Sequence, residues 1–250
     1  MTMPRVFRDV GTAIQFLTRI PVPQAAHDPE ALSRSALFFP LVGLGLGAVA
    51  AALFLWLREH LPVPGAALFT VLLTVLATGA LHEDGLADAA DAFGGGWSRE
   101  QVLHIFKDSR VGAYGALALL FSVLGRTLLI GALPGLQAAG YLIAAHVLSR
   151  WSILPLGCTL PSAREGSGQG ARLAGRVSVI SLCLGTAGTL AIVAVLLHRD
   201  ALAPFFVTVA VTIFTGVYYR KRIGGITGDC FGATVQLTEV AVYCVGVWRR

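Results

Sequence analysis

The run His82-Glu83-Asp84-Gly85-Leu86-Ala87-Asp88-Ala89-Ala90-Asp91 holds the side chains best placed for chemistry. Read as a helix, it puts Asp84, Asp88 and Asp91 at i, i+4 and i+7, within an arc of about 60° on one face. Carboxylates so spaced repel, which weakens a helix by roughly 0.2–0.5 kcal/mol per i,i+4 pair. A divalent cation removes that cost. An all-oxygen donor set favours a hard ion, and Mg²⁺ commonly shares such carboxylates with substrate phosphates. The plain alternative is a solvated acidic turn at a helix end. The residues between the aspartates are Gly, Leu and Ala, the composition of a packed helix, so Asp84, Asp88 and Asp91 are expected to bind metal. His82, beside them, is a candidate proton acceptor, with an ordinary helix-end histidine as its alternative.

Two further constellations stand downstream. Lys107-Asp108-Ser109-Arg110 reads equally as an interfacial anchor or as a ligand, Asp108, flanked by two cations for phosphate oxygens. Ser98 with Gln101 forms a capping box, predicting a short helix from about Arg99 to Lys107, with Gly94, Gly95 and Gly96 breaking the chain before it. Gly224-Gly225-Ile226-Thr227-Gly228-Asp229-Cys230-Phe231-Gly232-Ala233 is a glycine-rich turn whose backbone N–H groups can approach an anion. It lacks the Gly-Lys-Ser/Thr ending of a Walker A loop, and no strand precedes it as a dinucleotide fingerprint requires. Gly225, Thr227 and Gly228 are candidate substrate contacts, and Asp229 adds a carboxylate. The stretch Ala163 to Arg176 carries no motif and reads as a loop.

These residues have to be positioned by membrane helices. Of 250 residues, 55% are hydrophobic and 13% charged, with a mean hydropathy of +0.72; soluble domains carry about 25% charged residues. A soluble, disordered or disulfide-stapled chain is excluded, and Cys158, Cys183, Cys230 and Cys244 form no CxxC pair. The N-terminus shows no signal-peptide pattern. Apolar stretches near the roughly 20 residues a bilayer demands run over Ala36–Leu57, Leu61–Leu81, Val111–Leu133, Ala138–Gly157, Val177–Leu197 and Ala201–Tyr219, with Phe231–Trp248, which contains Glu239, a weaker seventh. The fold class is all-α: a polytopic transmembrane bundle of six to seven spans, one integral membrane domain over residues 1–250. With the N-terminus cytoplasmic, fourteen Lys/Arg fall on the cytoplasmic side and only Arg58 and Arg199 opposite; Arg249 and Arg250 vote the other way if the last span crosses. The acidic site then faces the cytoplasm. Gly43/Gly47 and Gly131/Gly135 are read as helix-packing pairs. Arg126, His146, Arg150 and Glu239 are costly in apolar spans; Glu239 could pair with Arg126, and Arg150 could snorkel.

Phe16-Leu17-Thr18-Arg19-Ile20-Pro21-Val22-Pro23, Phe39-Pro40-Leu41-Val42-Gly43, the run Leu81–Asp91, Lys107–Gly115 and Gly225–Ala233 together resemble, in order and spacing, the cobalamin synthase family (adenosylcobinamide-GDP ribazoletransferase). The resemblance implies an enzyme of the bacterial inner membrane that joins adenosylcobinamide-GDP to α-ribazole, or to α-ribazole 5′-phosphate, releasing GMP with Mg²⁺ as cofactor. The family varies at the position of Glu83, so no metal role is carried onto it. The implied reaction fits the residue inventory, because phosphoryl transfer depends on positioning and charge neutralisation. Asp84, Asp88 and Asp91 would hold Mg²⁺ on the pyrophosphate, with Asp108 and Asp229 completing the site. Arg19, Lys107 and Arg110 would meet developing charge, and His82 or a carboxylate such as Asp84 would take the hydroxyl proton. Membrane lipid is an expected partner and nucleic acid is not, the pI of about 9.3 suiting anionic lipid and nucleotides alike; a homo-oligomer is left open. Two other classes compete. CDP-alcohol phosphotransferases use an Asp-Gly-x-x-Ala-Arg pattern that Asp84-Gly85-Leu86-Ala87-Asp88 lacks. A cation-coupled transporter would place its acids near the midplane rather than at one surface.

Overall fold

The structure, a computed structural model, describes residues 4–23, 28, 30–135, 137–164 and 168–248. Among these, the chain forms helices α1 (Arg5–Leu17), α2 (Ala31–Ser35), α3 (Phe39–Leu57), α4 (Val63–Thr78), α5 (Leu81–Gly95), α6 (Arg99–Ile105), α7 (Ala113–Ala132), α8 (Gln137–Trp151), α9 (Ile153–Thr159), α10 (Gln169–Leu173), α11 (Val179–Leu197), α12 (Leu202–Ile223) and α13 (Gly228–Trp248). Extended pairing among the described residues is confined to an isolated parallel bridge between Ser162 and Ile226. Among the described residues, six helical stretches are long and apolar enough to cross a membrane: Ala31–Leu57, Ala113–Ala132, Gln137–Thr159, Val179–Asp200, Leu202–Ile223 and Gly228–Trp248. Large apolar side chains such as Phe121, Leu128, Ile180, Val195 and Phe214 stand exposed on them, as lipid-facing residues must. Arg249 and Arg250 lie outside the described residues.

The expected second span is the element that differs. Helix α4 has 16 residues, a length of about 24 Å against a hydrocarbon core of about 30 Å. It stops because Gly79 takes a left-handed conformation, φ 64°. The Gly79 N–H donates to Leu76 O at 3.2 Å and the Ala80 N–H to Val75 O at 2.8 Å, the Schellman closure. Helix α5 then leaves at 91°. The three aspartates do share a helix, but one that turns off α4 rather than prolonging it. Helix α5 also runs through Gly94 and Gly95, and only Gly96 ends it. The capping box forms as expected: the Gln101 N–H donates to Ser98 Oγ at 3.2 Å and the Ser98 N–H to Gln101 Oε1 at 3.2 Å.

Helix α13 is the shared wall, packing on α5, α7, α8 and α12, while α3 packs chiefly on α8. Its first turns (Cys230, Phe231, Ala233, Val235) join an apolar cluster with α1, α6 and α9. Its later residues (Val242, Tyr243) join a second cluster with α3, α4, α7 and α8. Close approach at α3–α8 runs through Gly43 and Gly47, where a Cβ would strike the backbone of His146 and Ile143. Gly131 and Gly135 make no such contact: a Cβ on Gly131 would meet only side chains at ordinary distance, and Gly135 faces open space.

Gly85 and Gly232 do the same for α5 against α13. A Cβ on Gly85 would lie 2.8 Å from Asp229 O, and one on Gly232 3.2 Å from Gly85 Cα. Backbone cannot yield as a flexible side chain can, so Gly85→Val should destabilise by about 1–3 kcal/mol, outweighing the few tenths of a kcal/mol of helix propensity that valine gains over glycine. Thermal unfolding in detergent checks this; an unchanged midpoint would mean the two helices have room to part.

Candidate active site

Hydrogen bonds to backbone carbonyls join the two chemical segments at one end of the bundle. Arg99 Nε donates to Ile223 O at 2.9 Å and Arg222 Nη2 to Gly96 O at 2.7 Å, so the loop after α5 is tied to the end of α12. Ile226 N–H donates to Pro161 O and Ala163 N–H to Ile226 O, which brings the segment before α10 alongside. The result is a cavity of about 360 Å³ lined by Phe16, Leu17, Leu81, His82, Asp84, Ile153, Ser162, Arg164, Gly168, Gly170, Ala171, Thr227, Gly228, Asp229, Phe231 and Gly232.

Asp84 and Asp229, far apart in sequence, thus share one wall. Asp88, one turn behind Asp84 and half-buried, lies within the field of Asp229, Asp84 and Asp91, and the opposing charge there is that of Arg164. Arg164 is the cation that acts on both Asp88 and Asp229. Among the described residues no group donates a hydrogen bond to the side chains of Asp84 or Asp88, whereas Thr227 Oγ1 donates to Asp229 Oδ2 at 3.3 Å. Asp91 is engaged differently: its Oδ2 accepts from the Gly112 N–H at 2.7 Å and its Oδ1 from the Gly115 N–H at 2.9 Å. It satisfies the open N–H groups that start α7, where a negative charge also meets the helix dipole.

Of the other expected residues, His82, Thr227 and Gly228 join the cavity lining, whereas Arg19, Lys107, Asp108, Arg110 and Gly225 are not part of it. Asp108 lies in the loop before α7 and pairs with Arg110, Oδ2 to Nη2 at 2.6 Å. The Arg110 guanidinium and backbone N–H hold its carboxyl down to about 2. Lys107 is exposed at the end of α6. Arg19 lies across the α4–α5 bend: its N–H donates to Ala77 O at 2.8 Å, and its guanidinium fills the space that a Cβ on Gly79 would take. Gly225 is buried, and a Cβ there would strike Pro161 O. Thr227 Oγ1 accepts from the Cys230 N–H at 3.4 Å at the start of α13. His82 is 3% exposed, and its Nε2 has no partner among the described residues.

Behind the cavity lies a buried ionic network. Arg126 Nη2 meets Glu83 Oε1 at 2.9 Å, Arg126 Nη1 meets Glu239 Oε2 at 3.3 Å, and His146 Nδ1 meets Glu239 Oε1 at 3.0 Å. Arg150 also contacts Glu239, and Gln236 Nε2 donates to Glu83 Oε1 at 3.1 Å. The pairing of Glu239 with Arg126 is as the sequence suggested. Arg150, read as a snorkelling side chain, is instead fully buried, because α8 is enclosed by α3, α11 and α13. Arg164 was missed within the stretch read as a loop; its clue was an arginine at the start of a glycine-rich stretch that also carries Arg172 and Arg176.

Among the described residues no three His, Cys, Asp or Glu side chains are drawn together as a ready-made metal cage. What is present is a set of carboxylates of which Asp84 and Asp229 line the cavity, with Asp88 one helical turn from Asp84 and, like it, without a hydrogen-bond donor among the described residues. That donor set suits a hard cation that keeps several waters and takes only one or two protein carboxylates.

Six membrane-length helices among the described residues, with an acid-lined cavity at one end and a fully buried ion network behind it, define a multi-pass membrane protein. The profile of the family described as Cobalamin-5-phosphate synthase matches residues 9–247, and the chain belongs to that family. A protein of Azorhizobium caulinodans named adenosylcobinamide-GDP ribazoletransferase is 42% identical over 99% of this chain and 97% of its own length. Proteins of the same name from Shewanella frigidimarina and a Polaromonas species are 40% and 35% identical, covering 93% and 94% of this chain and 91% and 95% of their own. No solved structure matches this chain.

Proposed function

We propose that this protein transfers the adenosylcobinamide phosphate moiety from adenosylcobinamide-GDP to α-ribazole or α-ribazole 5′-phosphate, releasing GMP, with Mg²⁺ as cofactor. The observation that carries the reading is the convergence of Asp84 and Asp229 on one cavity wall, in a chain of the family whose members bear that name. When bound, Mg²⁺ would neutralise the pyrophosphate and polarise its phosphoryl oxygens. Asp84 and Asp88 would be its principal protein ligands, since their oxygens accept no bonds from the described residues, with Asp229 on the adjoining helix and Asp91 holding the start of α7 in place.

In this reaction a ribazole hydroxyl oxygen bonds to the phosphorus nearer the corrinoid, and the bond from that phosphorus to the GMP oxygen breaks. The hydroxyl proton passes to His82 Nε2, the open acceptor on the cavity wall. GMP leaves with the electron pair of the broken bond. Exposed Lys107 and the Arg110–Asp108 pair stand in the loop between α6 and α7, where they can meet incoming anions. The Lys/Arg bias of the sequence supports an inner-membrane protein with this cavity toward the cytoplasm, and Arg99 and Arg222 do lie at the cavity end.

The test is GMP release from adenosylcobinamide-GDP and α-ribazole by purified protein in lipid, with and without Mg²⁺. Release that requires the metal and yields the joined corrinoid is expected, and chelation with EDTA should stop it. Turnover of a CDP-alcohol instead, or cation flux without GMP release, would replace this reading with one of its competitors.

A further inference from the structure

We infer that Arg164, with the opening turn of α13, forms a phosphate-binding subsite in the cavity that Asp84 also lines. Arg164 lines the cavity, yet its Nε and Nη2 are both buried with no hydrogen-bond acceptor among the described residues. The nearest carboxylate oxygen, Asp229 Oδ2, is 3.9 Å from Nη2, beyond hydrogen-bond reach. Buried guanidinium N–H groups left without acceptors are costly, and a bound anion is what relieves them.

The side chain is held for that purpose. Its guanidinium carbon sits 5.2 Å from the centre of the Phe106 ring, which fixes the plane of the fork. Its backbone is anchored on both sides: the Ser162 hydroxyl donates to Arg164 O at 2.8 Å, and Arg99 Nη2 donates to the preceding carbonyl, Ala163 O, at 3.2 Å. Part of the cavity wall is backbone, where Gly170 and Gly228 meet. A Cβ on Gly170 would run into Gly228, where α13, a helix of 21 residues, begins. A long helix start offers N–H groups and the positive end of a dipole to a phosphate.

A second group points to a ligand independently. His82 is 3% exposed, lines the same void, and its Nε2 is unpartnered. A planar cation, a helix start and an unpartnered imidazole around one cavity suit a phosphoryl group with a hydroxyl beside it. An arginine fork matches that geometry in two N–H···O bonds, which a lysine cannot copy. The proposed reading offers two sources for that phosphate, the pyrophosphate of the corrinoid donor and the 5′-phosphate of the acceptor.

This inference rests on the proposed transfer reaction, and its test separates the two. Full-length Arg164→Gln and Arg164→Lys proteins in lipid would be compared with wild type in two measurements, after equal unfolding midpoints confirm that both fold. The first is binding of inorganic pyrophosphate with Mg²⁺ by calorimetry, which needs no turnover. Arg164→Gln should bind about 10- to 100-fold more weakly, the range expected for a charge-assisted bond, and Arg164→Lys should recover part of the loss. Unchanged binding would overturn the subsite whether or not the wild type releases GMP. The second is steady-state GMP release with each substrate varied. A rise in KM confined to adenosylcobinamide-GDP assigns the pyrophosphate to Arg164, and one confined to α-ribazole 5′-phosphate, absent with α-ribazole, assigns the acceptor phosphate. A fall in kcat with every KM unchanged would overturn the subsite while leaving the transfer reaction standing.

Discussion

Asp84→Asn should lower GMP release by about 10²- to 10³-fold while leaving the protein as stable as before, or slightly more so. The substitution keeps the size of the side chain and removes one charge, so any loss comes from charge at the reacting phosphate, where one preorganised electrostatic contact is worth about that much. Stability moves differently because Asp84 is exposed, accepts no hydrogen bond from the described residues, and stands one helical turn from Asp88, a like charge. Relieving one of four clustered carboxylates removes repulsion in the metal-free protein. Mg²⁺ should then raise the unfolding midpoint of wild type more than that of the variant, since a ligand that binds only the folded state stabilises it by mass action. Asp91→Asn makes the contrast: its two oxygens hold Gly112 and Gly115 N–H groups, so it should lose stability as well as activity. Near-wild-type turnover by Asp84→Asn, in protein that folds, would remove the catalytic role of this residue.

Much of this arrangement could be read from the chain, and the misses have physical causes. The aspartate row was legible because a 3.6-residue period survives any tertiary context, and Asp229 because glycines around an acid mark close backbone approach. The break at Gly79 had its signal in plain view, a glycine directly after an apolar run, which is the usual helix terminator; continuous hydropathy across it concealed the turn. Asp108 illustrates a local competitor: Arg110, two residues on, takes its carboxylate at 2.6 Å, and spacing alone could not rank that pair against a distant site. Arg150 could not be placed because burial in a membrane bundle depends on which helices surround α8, and its hydrophobic pattern is uniform enough to hide an answer. Glu83 was set aside because its position varies in the resembling family, yet here it is the partner of Arg126. Arg164 carries no helical or strand periodicity at all; only the bridge from Ser162 to Ile226 brings it to the cavity.

Arg126→Met should be the most destabilising single change away from the cavity, at about 3–5 kcal/mol. Arg126 is 2% exposed and holds Glu83 and Glu239 at once. Without it, Glu83 keeps only the amide of Gln236, and a buried carboxylate with no cation must either protonate or draw in water. Glu239 suffers less because Arg150 and His146 remain on it. The damage should therefore be repaired selectively: adding Glu83→Gln to Arg126→Met should restore a large part of the loss, because it removes the stranded charge, whereas adding Glu239→Gln should not, since that strands Arg150. Unfolding midpoints of the single and double variants in lipid or detergent give the comparison directly. Activity should follow the same order, because Glu83 lies between His82 and Asp84 on α5, and a shift in how that helix seats on α7 and α13 moves both cavity residues together. If Glu83→Gln made Arg126→Met worse rather than better, the network would be holding the helices by packing and not by charge.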